Sequence, residues 1–297
     1  MSTVENKSLN LEILMTIFPT VQLQSFQNRF FVKTNPHHTM GTQPLFSLLL
    51  GLVLWVTGVG TSGSAKAETP ETAPATVTNL LNQVDAAANR QDVDAVMGFY
   101  SSNFTNSDGL DYKTLKQVLQ AFWNQYSRLN YRTQLQSWQQ NGEILTTTTV
   151  TEITGTKTLN NREFKLVSTI TSQQEIQDGK IVQQEILTEK NKLTLGNQPP
   201  TVVFQVPQEV KMGQEYAVDA IVQEPLNEEI LIGTAITQPV SPKAYTNEEL
   251  LQLEFLPSGG IFKVGQAPNV LGDNWVSAVL MRQGGVTLVT QRLRVIK

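Results

Sequence analysis

A change of periodicity near residue 130 constrains the fold more than any other feature of the sequence. Before that point, apolar residues recur at spacings of three and four along residues 77–87, 93–100 and 115–126. This spacing places apolar side chains on one face of a helix. The first part of the chain is therefore predicted to contain three amphipathic helices.

Threonine and β-branched residues dominate from there onward, and turn sequences interrupt them at Asn141-Gly142, Leu159-Asn160-Asn161 and Asp178-Gly179. Asn-Gly and Asp-Gly pairs favour two-residue hairpin loops, so four antiparallel strands are predicted up to residue 193. Residues 76–196 are thus predicted to be an α+β domain, with the three helices packed on one face of an antiparallel sheet.

A second unit is predicted after the Pro-Pro sequence of residues 197–200, which we interpret as a linker. Residues 201–297 contain about seven short strand patterns, and Gly284-Gly285 favours a hairpin between the last two. This spacing is typical of an immunoglobulin-like β-sandwich. The chain has no cysteine, so the prediction rests on strand spacing alone.

The first 67 residues are predicted to be a targeting region. Residues 45–59 (LFSLLLGLVLWVTGV) carry no charge and are followed by Ala65-Lys66-Ala67. The length suits the apolar part of a signal peptide, and the small residues suit a cleavage site after residue 67. The protein is therefore expected to be exported, or anchored in a membrane if the segment is not cleaved, with residues 68–75 as a linker.

Several kinds of chemistry are excluded by the residues that remain after cleavage. Both histidines, His37 and His38, precede residue 67, and cysteine is absent. The exported chain would have neither thiol nor imidazole, so we expect no cofactor and no metal site. The net charge of −4 argues against nucleic-acid binding.

Two runs of sequence, residues 80–84 (LLNQV) and residues 96–104 (VMGFYSSNF), precede a third predicted helix and four predicted strands. This arrangement resembles the nuclear transport factor 2-like superfamily, which has a cystatin-like fold and includes SnoaL-like cyclases and ketosteroid isomerases. The resemblance implies a cone-shaped domain whose helices pack on a curved sheet. The whole arrangement also resembles uncharacterised exported proteins of cyanobacteria, which implies a location in the periplasm or thylakoid lumen.

The resemblance implies that a ligand would lie in the cone. Glu152 would share a strand face with Val150 and Thr154 and point inward, and with Tyr100 it is the candidate pair for carboxylate and phenol chemistry. The opposite face would be open and available for a homodimer, and it is rich in threonine and glutamine: Thr147, Thr149, Thr151, Thr169, Thr171 and Gln173. The candidate pocket residues are aromatic: Tyr100, Phe104, Phe122, Tyr126, Tyr131 and Trp138. These rings could equally be ordinary core.

Three functions fit these observations. The first is an exported, non-catalytic module whose cone binds a small apolar ligand or a partner, with the sandwich as docking domain. The second is a lyase or isomerase that uses Glu152 and a tyrosine. The third is a structural adaptor that forms a dimer. The absence of nucleophiles and metal ligands favours the first.

Overall fold

The computed structural model describes residues 67–159, 161–245 and 251–297. The predicted apolar segment at residues 45–59 lies outside the described residues. A single 3-10 turn (Pro70–Thr72) precedes three helices: α1 (Ala75–Asn89), α2 (Val93–Met97) and α3 (Tyr112–Trp123). In the part of the chain that the structure describes, no helix has the length and apolar character needed to cross a membrane.

Polar side chains fix where the second and third helices begin. The carboxylate of Asp92 accepts a hydrogen bond from Ala95 N at 3.0 Å, ahead of α2. Asp111 accepts one from Thr114 N at 2.8 Å, and Thr114 Oγ1 accepts one from Asp111 N at 2.8 Å. This reciprocal pair satisfies two backbone donors that a helix start leaves free.

The strands extend over most of the remaining chain. The first five are β1 (Tyr100–Asn106), β2 (Arg128–Asn141), β3 (Ile144–Leu159), β4 (Arg162–Gln177) and β5 (Lys180–Gly196). The others are β6 (Val202–Gln205), β7 (Glu209–Lys211), β8 (Glu215–Val222), β9 (Ile232–Pro239), β10 (Glu254–Phe255), β11 (Gly260–Gln266), β12 (Gly272–Arg282) and β13 (Gly285–Ile296).

Ten of these strands form one sheet that runs through both halves of the sequence. Its order is β10-β9-β12-β13-β5-β4-β3-β2, with β1 beside β5 and β7 beside β13. The meander from β2 to β5 is as predicted, whereas β1, which pairs with β5 in parallel, was expected to be the end of a helix and a turn. A second, three-stranded sheet has the order β11-β8-β6.

The predicted linker at residues 197–200 is bonded to the β12–β13 turn. Gln198 N donates to Gly284 O at 3.0 Å, and Thr287 Oγ1 donates to Pro200 O at 2.7 Å. On either side of it, β5 and β13 pair antiparallel from Gly196 opposite Gly285 onward. Residues before and after the linker therefore belong to the same sheet, and the division into two domains stays a prediction.

The large sheet buries different faces in its two halves. Its helix-facing side, here called the helix face, packs Leu129, Ile153 and Leu166 against Ala88 and Val96 of the helices. In the other half, the opposite face of β12 and β13 packs on the small sheet, for example Leu280 and Val289 on Ala220 and Ile261. The fold is α+β, with three helices on a large antiparallel sheet and a small three-stranded sheet.

Candidate functional site

Four of the six predicted pocket aromatics, Tyr100, Phe122, Tyr126 and Tyr131, pack in one apolar cluster, and Phe104 lies in another. Phe104 is 1% exposed and belongs to an apolar cluster with Met97 and Ile181. Tyr100 meets Phe104 edge to face, with the ring centroids 4.9 Å apart. Phe122 and Tyr126 form a second pair, also at 4.9 Å.

The remaining two pocket candidates have hydrogen-bond partners of their own. Tyr131 Oη accepts a hydrogen bond from Trp123 Nε1 at 2.7 Å. Trp138 is buried at the 3-10 turn, where its Nε1 donates to Thr69 O at 3.2 Å and Thr72 Oγ1 at 3.1 Å. Trp138 therefore fixes the start of the described chain onto β2.

Three of these residues are phenols with strongly raised pKa values. Burial raises the pKa of Tyr100, Tyr126 and Tyr131 to about 12 in each case. For Tyr131, the hydrogen bond from Trp123 lowers the pKa, but by less than burial raises it. All three hydroxyls therefore stay protonated at neutral pH and can donate hydrogen bonds.

Glu152 lies on the exposed face of β3, so the orientation predicted for it is wrong. Thr147 and Thr149 are 0% exposed, and Ile153 is buried with them, which makes the odd-numbered residues of β3 its inward face. Glu152 has the opposite parity and lies beside Arg132 of β2. Because strand side chains alternate, the packing of Ile153 on the helices sets the whole register.

The Thr/Gln-rich face predicted to be open is also divided. Thr149 of that set pairs with Ser172, and the two hydroxyls lie 3.2 Å apart in the buried core. Thr171 and Gln173 lie on the other face of the sheet, where they pair with Val150 and Thr148 of β3. The sequence could not show this, because threonine suits either face of a sheet.

A buried cluster of charged side chains is the main polar feature of the helix face. Arg292 of β13 is 3% exposed and donates to both oxygens of Asp108, each at 2.8 Å. It also donates to Glu189 of β5 at 3.0 Å and to Asp273 of β12 at 2.9 Å. We call these four residues the Arg292 cluster.

Two aromatic side chains complete the polar contacts of the cluster. Tyr245 Oη donates to Asp108 Oδ2, and Trp275 Nε1 donates to Glu189 Oε2 at 2.8 Å. The rings of Tyr245 and Trp275 meet edge to face, with the centroids 4.8 Å apart. Five parts of the sequence, at positions 108, 189, 245, 273–275 and 292, thus converge on one buried site.

Arg294, two residues further along β13, extends the network toward solvent. Its guanidinium donates to Asp273 at 3.1 Å, to Glu185 at 2.7 Å and to Ile186 O at 2.9 Å. Beside it is an open groove of about 420 Å³, lined by Ser107, Leu271, Gly272, Asp273, Arg294, Val295, Ile296 and Lys297.

The charges of the cluster stabilise one another. Burial raises the pKa of Asp108, whereas the hydrogen bonds and charge of Arg292 lower it. The lowering effects outweigh burial, so the pKa of this carboxyl is below its ordinary value. Burial lowers the pKa of Arg292, and Asp108 and Glu189 more than reverse that effect. A buried carboxylate with a lowered pKa is a poor proton acceptor at neutral pH.

The Arg292 cluster therefore provides oxygen atoms that accept hydrogen bonds, but its buried carboxylate Asp108 is a weak base. Among the described residues, no group of three or more histidine, cysteine, aspartate or glutamate side chains could hold a metal ion. Nε of Arg292 is buried without a hydrogen-bond partner, so one donor of the cluster is unused.

Sequence reasoning missed this site. From the sequence, Asp108 is predicted to be a turn residue, and Arg292 and Arg294 form a local basic cluster too small to bind a phosphate backbone. One signal was present: two arginines with the same parity interrupt the apolar strand at residues 285–296 (GVTLVTQRLRVI). An arginine within such a strand needs buried partners, but the sequence did not say which acids would meet it.

Comparisons with known proteins cover parts of this chain. A family model described as a domain of unknown function, DUF8623, matches residues 197–296. No curated protein matches the chain significantly. Among solved structures, Bd1075 of Bdellovibrio bacteriovorus is 18% identical over 37% of this chain with a TM-score of 0.27, and the aligned part is 39% of that protein's length.

Two further solved structures cover similar shares of this chain. A cystatin-like protein of unknown function from Nostoc punctiforme PCC 73102 is 12% identical, covering 40% of this chain and 92% of that chain, with a TM-score of 0.30. A candidate scytalone dehydratase from Novosphingobium aromaticivorans DSM 12444 is 9% identical, covering 37% and 80%, with a TM-score of 0.33. At these identities the likeness concerns the fold alone.

Proposed function

We propose that this protein is an exported, non-catalytic interaction module that binds a protein partner through its C-terminal sandwich. One observation carries the proposal. Four large apolar side chains within ten residues are strongly exposed: Phe262 at 55%, Val264 at 71%, Val270 at 71% and Leu271 at 48%. A contiguous apolar patch on the surface marks an interaction site, and we propose that these four side chains form one.

The interior supports binding at the surface rather than inside a cone. Phe104, Met97 and Ile181 pack together in one apolar cluster between the helices and the sheet, and Tyr131 is already paired with Trp123. A small apolar ligand that entered this cluster would have to displace its side chains. We therefore favour a protein partner over the small ligand.

The lyase or isomerase alternative has less support. Its candidate base, Glu152, is exposed on β3, away from Tyr100. The buried acid Asp108 is held ionised by Arg292, which lowers its usefulness as a base.

Three finer statements belong to the same proposal. The packing of the small sheet on β12 and β13 supports an immunoglobulin-like sandwich. Residues 45–59 and 65–67 support export to the periplasm or thylakoid lumen. Detection of a mature N-terminus at Glu68 by mass spectrometry would test the export. A homodimer remains a further candidate assembly.

The interaction surface can be tested with a photo-crosslinking amino acid. We would place it at Val264 of the full chain and, as a matched control, at Val167, which is 45% exposed on β4. Crosslinks in the exporting cell should form at position 264 with a defined partner and should disappear when Phe262 is changed to Asp. Equal crosslinking at both positions, or none at position 264, would contradict the proposal.

A further inference from the structure

We propose that the Arg292 cluster forms a binding site for a phenolic hydroxyl group, and that the chain occupies this site with its own Tyr245. The ligand class is a small phenol such as 4-methylphenol, which has the shape of the tyrosine side chain. This inference is independent of the partner surface on the sandwich.

The acceptor of the site is a preorganised carboxylate. Asp108 is 6% exposed, and both of its oxygens are held by Arg292 at 2.8 Å. Ser107 Oγ donates to Asp108 Oδ1 at 3.2 Å, while Oδ2 accepts from Tyr245. A fixed, ionised acceptor forms a stronger hydrogen bond with a hydroxyl than a neutral acceptor does.

The ring of the phenol has its own recognition surface. The Tyr245 ring meets Trp275 at 84° and a centroid distance of 4.8 Å, an edge-to-face geometry that aromatic pairs favour. It also packs beside the apolar cluster that contains Leu110 and Ile181. An aliphatic alcohol would offer no aromatic ring to Trp275.

The charges of the cluster disfavour an anionic ligand. Asp108, Glu189 and Asp273 surround Arg292, and Arg294 also contacts Asp273, so an added carboxylate or phosphate would meet an excess of negative charge. A neutral donor avoids this penalty, and a phenol is such a donor.

Tyr245 reaches the site from a short segment after β9. Ala244 N donates to Ser241 O at 2.9 Å, which closes a turn. Pro242 lies over Gly109, where an added Cβ would be 3.4 Å from its Cγ. The tyrosine is therefore an intramolecular ligand, supplied by the segment that follows the strand and not by the wall of the site itself.

The experiment uses the full chain with Tyr245→Ala, which removes the resident phenol. Binding of 4-methylphenol and of toluene, which lacks only the hydroxyl, would be measured by calorimetry and by the shift in Tm. The variant should bind 4-methylphenol at least about tenfold more tightly than toluene, because the hydrogen bond to a charged acceptor discriminates between them. The wild-type chain should bind neither at the same concentrations.

The matched control is Tyr216→Ala. The Tyr216 hydroxyl lies 3.1 Å from Thr237 Oγ1, a neutral partner, so this variant should prefer 4-methylphenol by less than about threefold. Equal affinity of Tyr245→Ala for the two probes, or no binding of 4-methylphenol, would overturn the proposal. If Tyr245→Ala does not fold alone, 4-methylphenol should restore the folded chain during refolding and toluene should not. Failure of that rescue would also overturn it.

Discussion

Two buried regions on the helix face of the same sheet are held together by different forces. Around β1, the core consists of apolar side chains such as Met97, Phe104 and Ile181. At the junction of β5 and β13, the core contains Arg292 with its acidic partners. The first region lies within the helix-containing half, and the second joins sequence segments that are more than 100 residues apart, such as Asp108 and Arg292.

The difference lies in how each region responds to a change. An apolar core loses stability in proportion to the volume removed, and neighbouring side chains can partly fill the gap. A buried ion pair responds more abruptly, because loss of one partner leaves the other charge uncompensated. The junction should therefore be the part of the molecule that is most sensitive to single substitutions.

The largest effect is expected for Arg292→Met. It leaves Asp108 and Glu189 buried without their cation, and we expect a loss of about 3–5 kcal/mol in the free energy of unfolding. Urea denaturation would measure it. The matched control is Arg294→Met, whose side chain is 27% exposed, and it should cost less than half as much. Equal losses would show that the junction is held by general packing.

A second substitution tests the junction through the backbone. Gly285 has φ +155°, and a Cβ there would collide with Leu195 O and lie 3.1 Å from Pro199 Cα. Gly285→Ala should cost about 2–3 kcal/mol through strain and steric conflict. Gly142→Ala is the control, since it also has a positive φ, +61°, but nothing lies within 4 Å of its added Cβ. That variant should lose only about 1 kcal/mol.

If both glycine variants lose the same stability, then the loss at Gly285 comes from its backbone conformation and not from the close approach of the strands. The denaturation midpoints, with equal slopes for the two variants, decide between these explanations.

An alkaline titration tests Tyr131, which packs on a second apolar cluster of the helix face with Trp123 and Ile153. Burial raises the pKa of Tyr131 to about 12, above the ordinary value of about 10. The folded chain therefore keeps a proton that the unfolded chain releases, so stability is complete below about pH 10 and falls as the pH rises toward 12. Tyr131→Phe should remove up to about 1.4 kcal/mol per pH unit from that slope. Stability measured from pH 9 to 11 for both chains gives the comparison, and identical slopes would contradict it.

Local patterns in the sequence predicted local structure well. The helices over residues 75–89 and 112–123 and the meander from β2 to β5 follow from periodicity and turn residues. Long-range pairing was not predictable in this way. No feature of the sequence indicates that residues 180–196 and 285–296 pair with each other, yet they form one antiparallel ladder.

At the candidate site too, local features were predictable from the sequence and long-range contacts were not. The aromatic residues were predicted to line a pocket or to form ordinary core, but the contacts of each ring depend on tertiary packing, as Trp138 at the 3-10 turn shows. Asp108 has the sequence context of a turn residue, and its partner Arg292 is 184 positions away. The parity of Glu152 depended on which residues of β3 meet the helices, and a run of threonines carries no such information.

The smallest expected effect concerns two glutamates on the same sheet. Glu152 is exposed, so Glu152→Gln should change the free energy of unfolding by less than about 0.5 kcal/mol. Glu189 is 8% exposed and accepts hydrogen bonds from Arg292 at 3.0 Å and Trp275 at 2.8 Å. Glu189→Gln keeps the shape but removes the charge, and should cost about 1–3 kcal/mol. Urea denaturation of the two variants compares them directly. A loss at Glu152 as large as at Glu189 would mean that its carboxylate has buried partners, and would reopen the lyase or isomerase alternative.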